Sequence, residues 1–500
     1  MLPSKKNPTF GDTIPWHEYQ EQQKISVHTS PTPLKMEIQT LLRDEALAVS
    51  SLEKLPSDLF PTLFKEACAG RLTNLIKAML AAWPFPCLAV GALMESPDPD
   101  CKTFQAVLDG VDLRLTREFH SRRAKLQVLD LRNVCHPFWN IQDDSETLEE
   151  KQVLKVLPRY ALRQRLKVIV DLCITSFLHE AQVSFLMWAQ QRMGSLYFCC
   201  TKMKIWTLSP HIIIVIFNVF DPEHITELEL NTEWTMSQLE NFAPYFGQMR
   251  NLHKVFLAPF REITFHFTHR PRITEAECIN KFVSQFSQFN CLQHLFMDCI
   301  HFLRDEIDQV LGFLKTPLET LSITYSLISQ RDLNSFSCCQ SLLQLKHLDL
   351  RGVILCTLDL MPLRALIEKV ADTLETLNLQ GCKVKDVQLN VFLPALRQCS
   401  QLTQFKFYNN DISMSTLKDF LKHSTNWSRM NVEQYPAPME CYDELAEVSV
   451  ERFAQVCREL MDTLRTIRQP KNISFATDIC LTCGESYVYE QVLRLCHCWQ

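Results

Sequence analysis

Cysteine is the residue type in this chain with the most evident chemistry. Cys480-Leu-Thr-Cys483 is followed by Cys496-His497-Cys498. A C-x-x-C pair sets two sulfurs on one tight turn, and a second pair nearby completes a four-thiolate set of the kind that holds zinc. C-x-C is an awkward second half, however, and the chain carries 21 cysteines, so the same residues also read as reduced thiols of a buried tail. No βαβ pattern surrounds Cys480 and Cys483, which argues against a thioredoxin-like redox pair. The expectation is no resident metal and no cofactor, with Cys480, Cys483, Cys496 and Cys498 as the candidates should a metal be present.

Other catalytic signals fail on inspection. His179-Glu180 begins an HExxH motif, but Val183 stands where the second histidine must be. Only ten glycines occur, and neither a P-loop nor a G-x-G-x-x-G is present. Loops that cradle phosphate need glycine so that backbone N–H groups can approach the ligand. A repeat array also offers an open surface rather than a pocket in which catalytic groups converge. The chain is expected to have no catalytic residues of its own.

Composition bounds the partners. Hydrophobic residues at 46% and charged residues at 22% belong to a folded protein rather than a disordered one. The net charge of −6 has both signs interspersed, so neither nucleic acid nor an anionic membrane is implied as a partner. Arg122, Arg123 and Lys125 form a small basic cluster that reads as a solvated face before it reads as a targeting patch. The N-terminus lacks the apolar run of a secretory signal, and the most apolar stretch, 212–220, is too short to span a bilayer. Scattered cysteines suit a reducing compartment, hence cytoplasm, nucleus or both. The Asn-x-Ser triplets at Asn426 and Asn472 then carry no glycosylation meaning.

The elements come from a repeat. Leu374, Leu377, Leu379, Cys382 and Val384 spell LxxLxLxxCxV, preceded by Leu345, Leu348, Leu350, Val353, Leu355 and followed by Leu402, Phe405, Phe407, Asn410, Ile412. Further copies start at Ile225, Leu252, Leu292 and Leu318, giving start-to-start spacings of 27, 40, 26, 27, 29 and 28 residues. That period and pattern are the signature of leucine-rich repeats. Between the strands, apolar residues such as Ile307, Val310, Leu311 and Leu314 recur at helical spacing, as do Leu363, Leu366, Ile367, Val370 and Leu389, Phe392, Leu393, Leu396. No strand–helix unit can bury its stripe alone, so neighbours must stack. The fold class is therefore α/β, a leucine-rich-repeat solenoid with a curved parallel sheet inside, helices outside and an N-terminal helical cap.

Five segments follow. Residues 1–35, rich in proline and polar groups, read as a flexible tail. Residues 36–125 read as the helical cap, with helices around Leu41 to Val49, Leu59 to Ala69, Leu72 to Trp83 and Phe104 to Val111. Residues 126–220 hold a first LxxLxL at Leu126, Leu129, Leu131, an acidic interruption at 143–151, and degenerate repeats. Residues 221–425 are the regular array, and 426–500 a C-terminal repeat or cap with the cysteine pairs. The Cys382 and Asn410 position turns inward after its strand, where a thiol or amide bonds loop backbone.

In LxxLxL the leucines face the core, so the alternating residues form columns on the opposite face. They are His294, Phe296, Asp298; Thr320, Ser322, Thr324; His347, Asp349, Arg351; Thr376, Asn378, Gln380; and Gln404, Lys406, Tyr408. This mix suits a protein partner on the concave face; the bland alternative is a merely solvated surface. At the other end, a helix with leucine and a small residue four positions on, within Leu41-Leu42-Arg43-Asp44-Glu45-Ala46, can dock in a partner's groove. Leu55-Pro56-Ser57-Asp58-Leu59-Phe60 reads as a helix start with proline in its first turn. Ile38-Gln-Thr-Leu41-Leu42 comes close to the LxxLL helix that docks nuclear-receptor grooves.

Long strings in this chain, among them LLRDEALAVSSLEKLPSDLFPTLFKEA, AAWPFPCLAVGALM, KLQVLDLRNVCHPFW, YPAPMECYD and ICLTCGESY, resemble the PRAME (preferentially expressed antigen in melanoma) family, including its oogenesin-like members. The likeness runs from about Met36 to the C-terminus. It implies a leucine-rich-repeat protein of the germline and, as in some members, a substrate receptor of a cullin–RING ubiquitin ligase. Carried over by position, an elongin-binding box would use Leu42 and Ala46, and a cullin box Leu55, Pro56 and Leu59. A typical elongin box has cysteine where Ala46 stands, and Leu-Pro-x-x-Leu-Phe also resembles the start of an F-box. The implied partners are elongin B/C, a cullin scaffold and a protein substrate. The substrate would lie on His294, Phe296, Asp298, His347, Asp349, Arg351, Asn378, Gln380, Lys406 and Tyr408. The alternative is a non-catalytic germline scaffold or transcriptional repressor acting on proliferation, differentiation and apoptosis.

Overall fold

A computed structural model describes residues 33–93, 101–116, 123–132, 165–174, 180–206, 210–231, 236–258, 272–445, 447–480, 483, 485–490, 492–496 and 498. The proline-rich first 32 residues, the acidic stretch 143–151, Arg122 and His179 lie outside them. The chain divides into two compact units, 1–88 with 92–126 and 89–91 with 127–500.

The first unit is helical. Its helices are Pro33–Leu42, Glu45–Ser51, Phe60–Ala69, Thr73–Ala81 and Cys101–Leu115. Trp83 anchors the core, with Phe60 and Phe64 edge-on to it at centroid distances of 6.0 and 5.6 Å. Pro61, in the first turn of Phe60–Ala69, lacks an N–H that would be unpaired there in any case. One continuous helix was the expectation from Leu41 to Val49, and the structure corrects it. The first helix ends at Leu42, and Asp44, extended at φ −124°, caps the next by accepting from the Leu47 N–H at 3.1 Å. Glu45 fixes the break, since its carboxylate accepts from the Leu75 N–H at 2.9 Å at the start of another helix.

The second unit is a long, mostly parallel sheet backed by helices. A short strand, β1 (Cys87–Ala89), lies at the sequence boundary between the units. The sheet then runs through β2 (Val128–Asp130), β3 (Leu166–Ile174), β4 (Leu196–Ile205), β5 (Glu227–Asn231), β6 (Lys254–Ala258), β7 (His294–Asp298), β8 (Thr320–Thr324), β9 (His347–Asp349), β10 (Thr376–Asn378), β11 (Gln404–Lys406), β12 (Val432–Pro436) and β13 (Asn472–Ala476). Each pairs with the next in parallel, in chain order. Parallel neighbours need a crossover, and the helices supply it. Their apolar stripes turn to the strand leucines: Leu363, Leu366 and Ile367 of Met361–Lys369 are fully buried, as are Leu389, Phe392 and Leu396 of Asp386–Leu396. Aromatic rings fill wider gaps. Phe246 stacks on Phe282 at 4.8 Å and meets Phe289 edge-on at 4.8 Å, while strand Phe405 lies 5.7 Å from helical Phe420.

Two features lie outside the regular array. β14 (Val488–Tyr489) and β15 (Leu493–Arg494) pair antiparallel, to β13 and to each other. Among the described residues there, no helix carries the chain back, and the strands pair as hairpins. The degenerate region also forms two strands longer than those of the regular array, with a register shift between Val170 and Leu172.

A backbone rule underlies the regular part. In β7 to β11 the residue three positions past the central outward residue is left-handed: Cys299 (φ 53°), Tyr325 (48°), Gly352 (73°), Gly381 (68°) and Asn409 (58°). From the first four, an N–H reaches the next repeat, Cys299 to the Thr324 carbonyl, Tyr325 to Arg351, Gly352 to Gln380 and Gly381 to Tyr408, at 2.8 to 2.9 Å. The inward turn that follows is secured by Asn410, whose side-chain amide donates to the Leu379 and Phe407 carbonyls while its oxygen accepts from the Val384 N–H. Cys382 does the same with one thiol, 3.1 Å from the Leu350 carbonyl.

Candidate functional site

The strand register assembles two columns on the polar face of the sheet. One runs Lys202, Glu227, Lys254, His294, Thr320, His347, Thr376, Gln404, Val432; the other Lys204, Glu229, Phe256, Phe296, Ser322, Asp349, Asn378, Lys406, Gln434. Both are forced by the two-residue period of a strand whose intervening side chains are buried. His294, Phe296, Asp298, His347, Asp349, Arg351, Asn378, Gln380, Lys406 and Tyr408 all lie there and are half-buried. The structure thus gathers the whole set named from sequence on one face. Thr320, Ser322 and Thr324 are present too, but are small enough to be covered by their neighbours.

Polar groups on this face are paired across repeats. The imidazole Nδ1 of His294 lies 2.9 Å from the Thr320 hydroxyl, and that of His347 lies 3.0 Å from Thr376. Thr324 donates to Asp298 at 2.5 Å, and Asn378 donates to Asp349 at 3.2 Å. Arg351 reaches Asp349 at 3.5 Å while its guanidinium sits 5.9 Å over the Tyr325 ring. The Tyr408 hydroxyl bonds Ser474. Burial, reinforced by the neighbouring His253, pushes the His294 imidazole down to about 4. Burial also lowers the pKa of His347 and raises that of Asp349.

The sequence columns began too late in the chain. Lys202–Glu227 and Lys204–Glu229 form ion pairs at 3.0 Å on the same face. Beside them Phe256 and Phe296 lie 5.9 Å apart, with the Lys254 ammonium 5.6 Å from the Phe296 centroid. The frames starting at Ile225 and Leu252 carried the signal, because their alternate positions extend the columns. A second omission had no such signal. Glu433 takes the slot that Phe405 and Ile473 take in the flanking strands, facing inward and 1% exposed. Arg468 donates to it at 2.7 Å and the Tyr435 hydroxyl at 2.8 Å, and the guanidinium lies over Trp427.

The N-terminal candidates sit in the helical unit. Leu42, Leu55 and Leu59 are half-buried, Ala46 and Pro56 are exposed, and Leu47 beside them is 53% exposed. Leu42 and Ala46 belong to different helices, as described above. Leu55 is held through its carbonyl by the Arg123 guanidinium, which commits one member of the basic cluster to structure. Ile38, the first residue of the LxxLL-like string, is 4% exposed and belongs to the core. No described helix is long and apolar enough to cross a membrane.

At the far end, the four candidate ligand cysteines come together. The sulfurs of Cys480, Cys483, Cys496 and Cys498 all lie within 4.8 Å of one another, Cys480 and Cys498 at 4.0 Å. By contrast Cys382 is enclosed, and burial pushes its thiol up to about 12.

Comparison with known proteins covers both units. Residues 30–139 match the PRAME N-terminal domain and residues 166–498 the PRAME C-terminal domain. The chain is 41% identical over 482 residues to human PRAME family member 20, spanning 95% of this chain and 100% of that protein. It is 41% identical to human PRAME family member 12, over 95% and 98% of the two chains. It is 39% identical to mouse preferentially expressed antigen in melanoma-like protein 7, over 94% and 99%.

Proposed function

Because the chain belongs to the PRAME family, we propose that it is a substrate-recognition subunit of a cullin–RING ubiquitin ligase, built as a leucine-rich-repeat solenoid with a helical N-terminal cap. The observation that carries this reading is the face joining Phe256, Phe296, His294, Asp349 and Lys406 in two continuous columns, with Arg351 beside Asp349. Aromatic residues and arginine among paired polar groups have the composition of a protein-binding surface. The core does not need them, since the leucines of the same strands already supply it.

In this reading Leu42, Ala46, Leu55, Pro56 and Leu59 contact elongin B/C and the cullin, and exposed Leu47 belongs with them. The substrate lies on the column residues. The chain contributes no catalytic group. Its mechanism is proximity: holding a substrate lysine near the charged conjugating enzyme raises its effective concentration. Such a subunit works in cytoplasm or nucleus, and proteasomal degradation of the substrate follows.

The test is a pulldown of the purified chain with elongin B/C and a panel of cullins. Leu42→Glu and Leu55→Glu are compared with the wild type after circular dichroism shows each is folded. Loss of adaptor with retained fold supports the proposal. An intact wild type that binds no adaptor and no cullin would falsify it, leaving a recognition scaffold without a ligase.

A further inference from the structure

We propose that Cys480, Cys483, Cys496 and Cys498 form a structural tetrathiolate zinc site that locks the C-terminal end of the sheet. The backbone builds the site from two directions. After β13, the Thr477 N–H donates to the Tyr487 carbonyl and the Tyr487 N–H returns to the Thr477 hydroxyl, both at 3.0 Å. Within that loop the Cys480 N–H donates to the Glu485 carbonyl at 2.7 Å, across the turn at Cys483. β15 then runs back along β14 in the register Val488 to Arg494 and Tyr489 to Leu493. Antiparallel pairing carries the chain after Arg494 alongside the segment that precedes Val488, which is the same turn. Cys496 and Cys498 arrive beside Cys480 and Cys483 for that reason.

The sulfur geometry fits a tetrahedral ion. Four sulfurs about 2.3 Å from a central zinc are separated by roughly 3.8 Å along each edge. Here all four lie within 4.8 Å of one another, and Cys480 to Cys498 is 4.0 Å. A disulfide would need a separation of about 2.05 Å, and none joins any of the four. The donor set is all sulfur, which selects zinc or iron over magnesium and calcium. No fifth position is needed, so the site is of the closed, structural kind. Zinc entering a thiol site displaces protons from sulfur to solvent, with no change in oxidation state.

The end of the sheet also has a use for a cross-link. β14 and β15 contribute two residues each, and so short a hairpin has little stability of its own. Zinc would tie it to the turn after β13 and cover the last edge of the sheet. This inference does not depend on any ligase connection.

Full-length protein purified with a phosphine reductant, and dialysed against metal-free buffer, would be assayed for zinc and iron by elemental mass spectrometry. About one zinc per chain is expected. Cys480→Ser with Cys483→Ser should remove it, as should Cys496→Ser with Cys498→Ser, whereas Cys338→Ser with Cys339→Ser should leave it. Cobalt substituted into the wild type should show the thiolate charge-transfer band and d–d bands of a tetrahedral four-sulfur site. If the variants fail to fold, hydrogen exchange on the wild type decides. Chelator should then raise exchange in 472–496 while leaving β7 to β11 protected. Folded wild type without stoichiometric metal overturns the proposal, as does iron in place of zinc. Zinc that survives both cysteine pairs, or a mass showing two disulfides among these four, overturns it equally.

Discussion

Arg468 and Glu433 show how much one residue can decide. Glu433 occupies a core slot of the repeat and is held there by a bidentate guanidinium and a tyrosine hydroxyl. Removing one partner of a buried pair leaves an uncompensated charge, worth about 3–5 kcal/mol. Arg468→Met should therefore destabilise the protein by about that amount in guanidinium denaturation, and adding Glu433→Leu should recover much of it. At the same scale, the polar-face histidines make stability pH-dependent. The His294 pKa is lowered in the folded chain from 6.5 to about 4, so the unfolded chain binds the extra proton between those values. The contribution is fully present above about 6.5 and is lost as pH falls towards about 4. His347, lowered in the same sense, adds to it. The groups around His294 that bear on this are His253, Lys254, Glu319 and His347. His294→Gln should flatten the fall in melting temperature over that window; an unchanged profile would rule the histidine out.

At the scale of the element, the left-handed turn after each of β7 to β11 sets the limits of substitution. Gly352, at φ 73°, has the Tyr325 ring where a side chain would be, with a Cβ only 2.3 Å from a ring carbon. Gly381, at φ 68°, has nothing closer than 3.8 Å. A left-handed non-glycine residue costs of order 1–3 kcal/mol. Gly381→Ala should show a cost in that range, and Gly352→Ala more, because Tyr325 must also move. Thermal melts of the two variants side by side test the order. Cys382 belongs to the same turn and is enclosed, whereas Cys338 on the helical side is exposed. Mass-spectrometric mapping of native alkylation should find Cys338 labelled early and Cys382 only after unfolding.

For the whole molecule, the proposal divides labour between the two units. In that division Phe256 and Phe296 would anchor the substrate, and residues of that kind cost at least about 2 kcal/mol when truncated at an interface centre. Phe256→Ala with Phe296→Ala should weaken substrate capture by about thirty-fold or more, which is that energy converted at 1.4 kcal/mol per tenfold. Elongin and cullin binding should be untouched. Leu42→Glu should do the reverse. If both variants lost both activities while remaining folded, the division would be wrong.

The repeating strands and helices were legible in the sequence because the burial period is written in residue types. Leucine every two or three positions can satisfy only a strand backed by a helix, so the starts at Leu292, Leu318, Leu345, Leu374 and Leu402 marked β7 to β11. The outward columns followed by alternation alone. Other features depended on contacts between distant residues, which no local pattern carries. Glu433 is acceptable in the core only because Arg468, 35 residues on, folds back onto it. The break between Leu42 and Ala46 needed Glu45 to reach Leu75. Cys480 and Cys498 became neighbours only because two antiparallel hairpins end a parallel sheet. Spacing determined what could repeat; tertiary structure decided what could meet, since side chains far apart in sequence share a site only when the backbone returns.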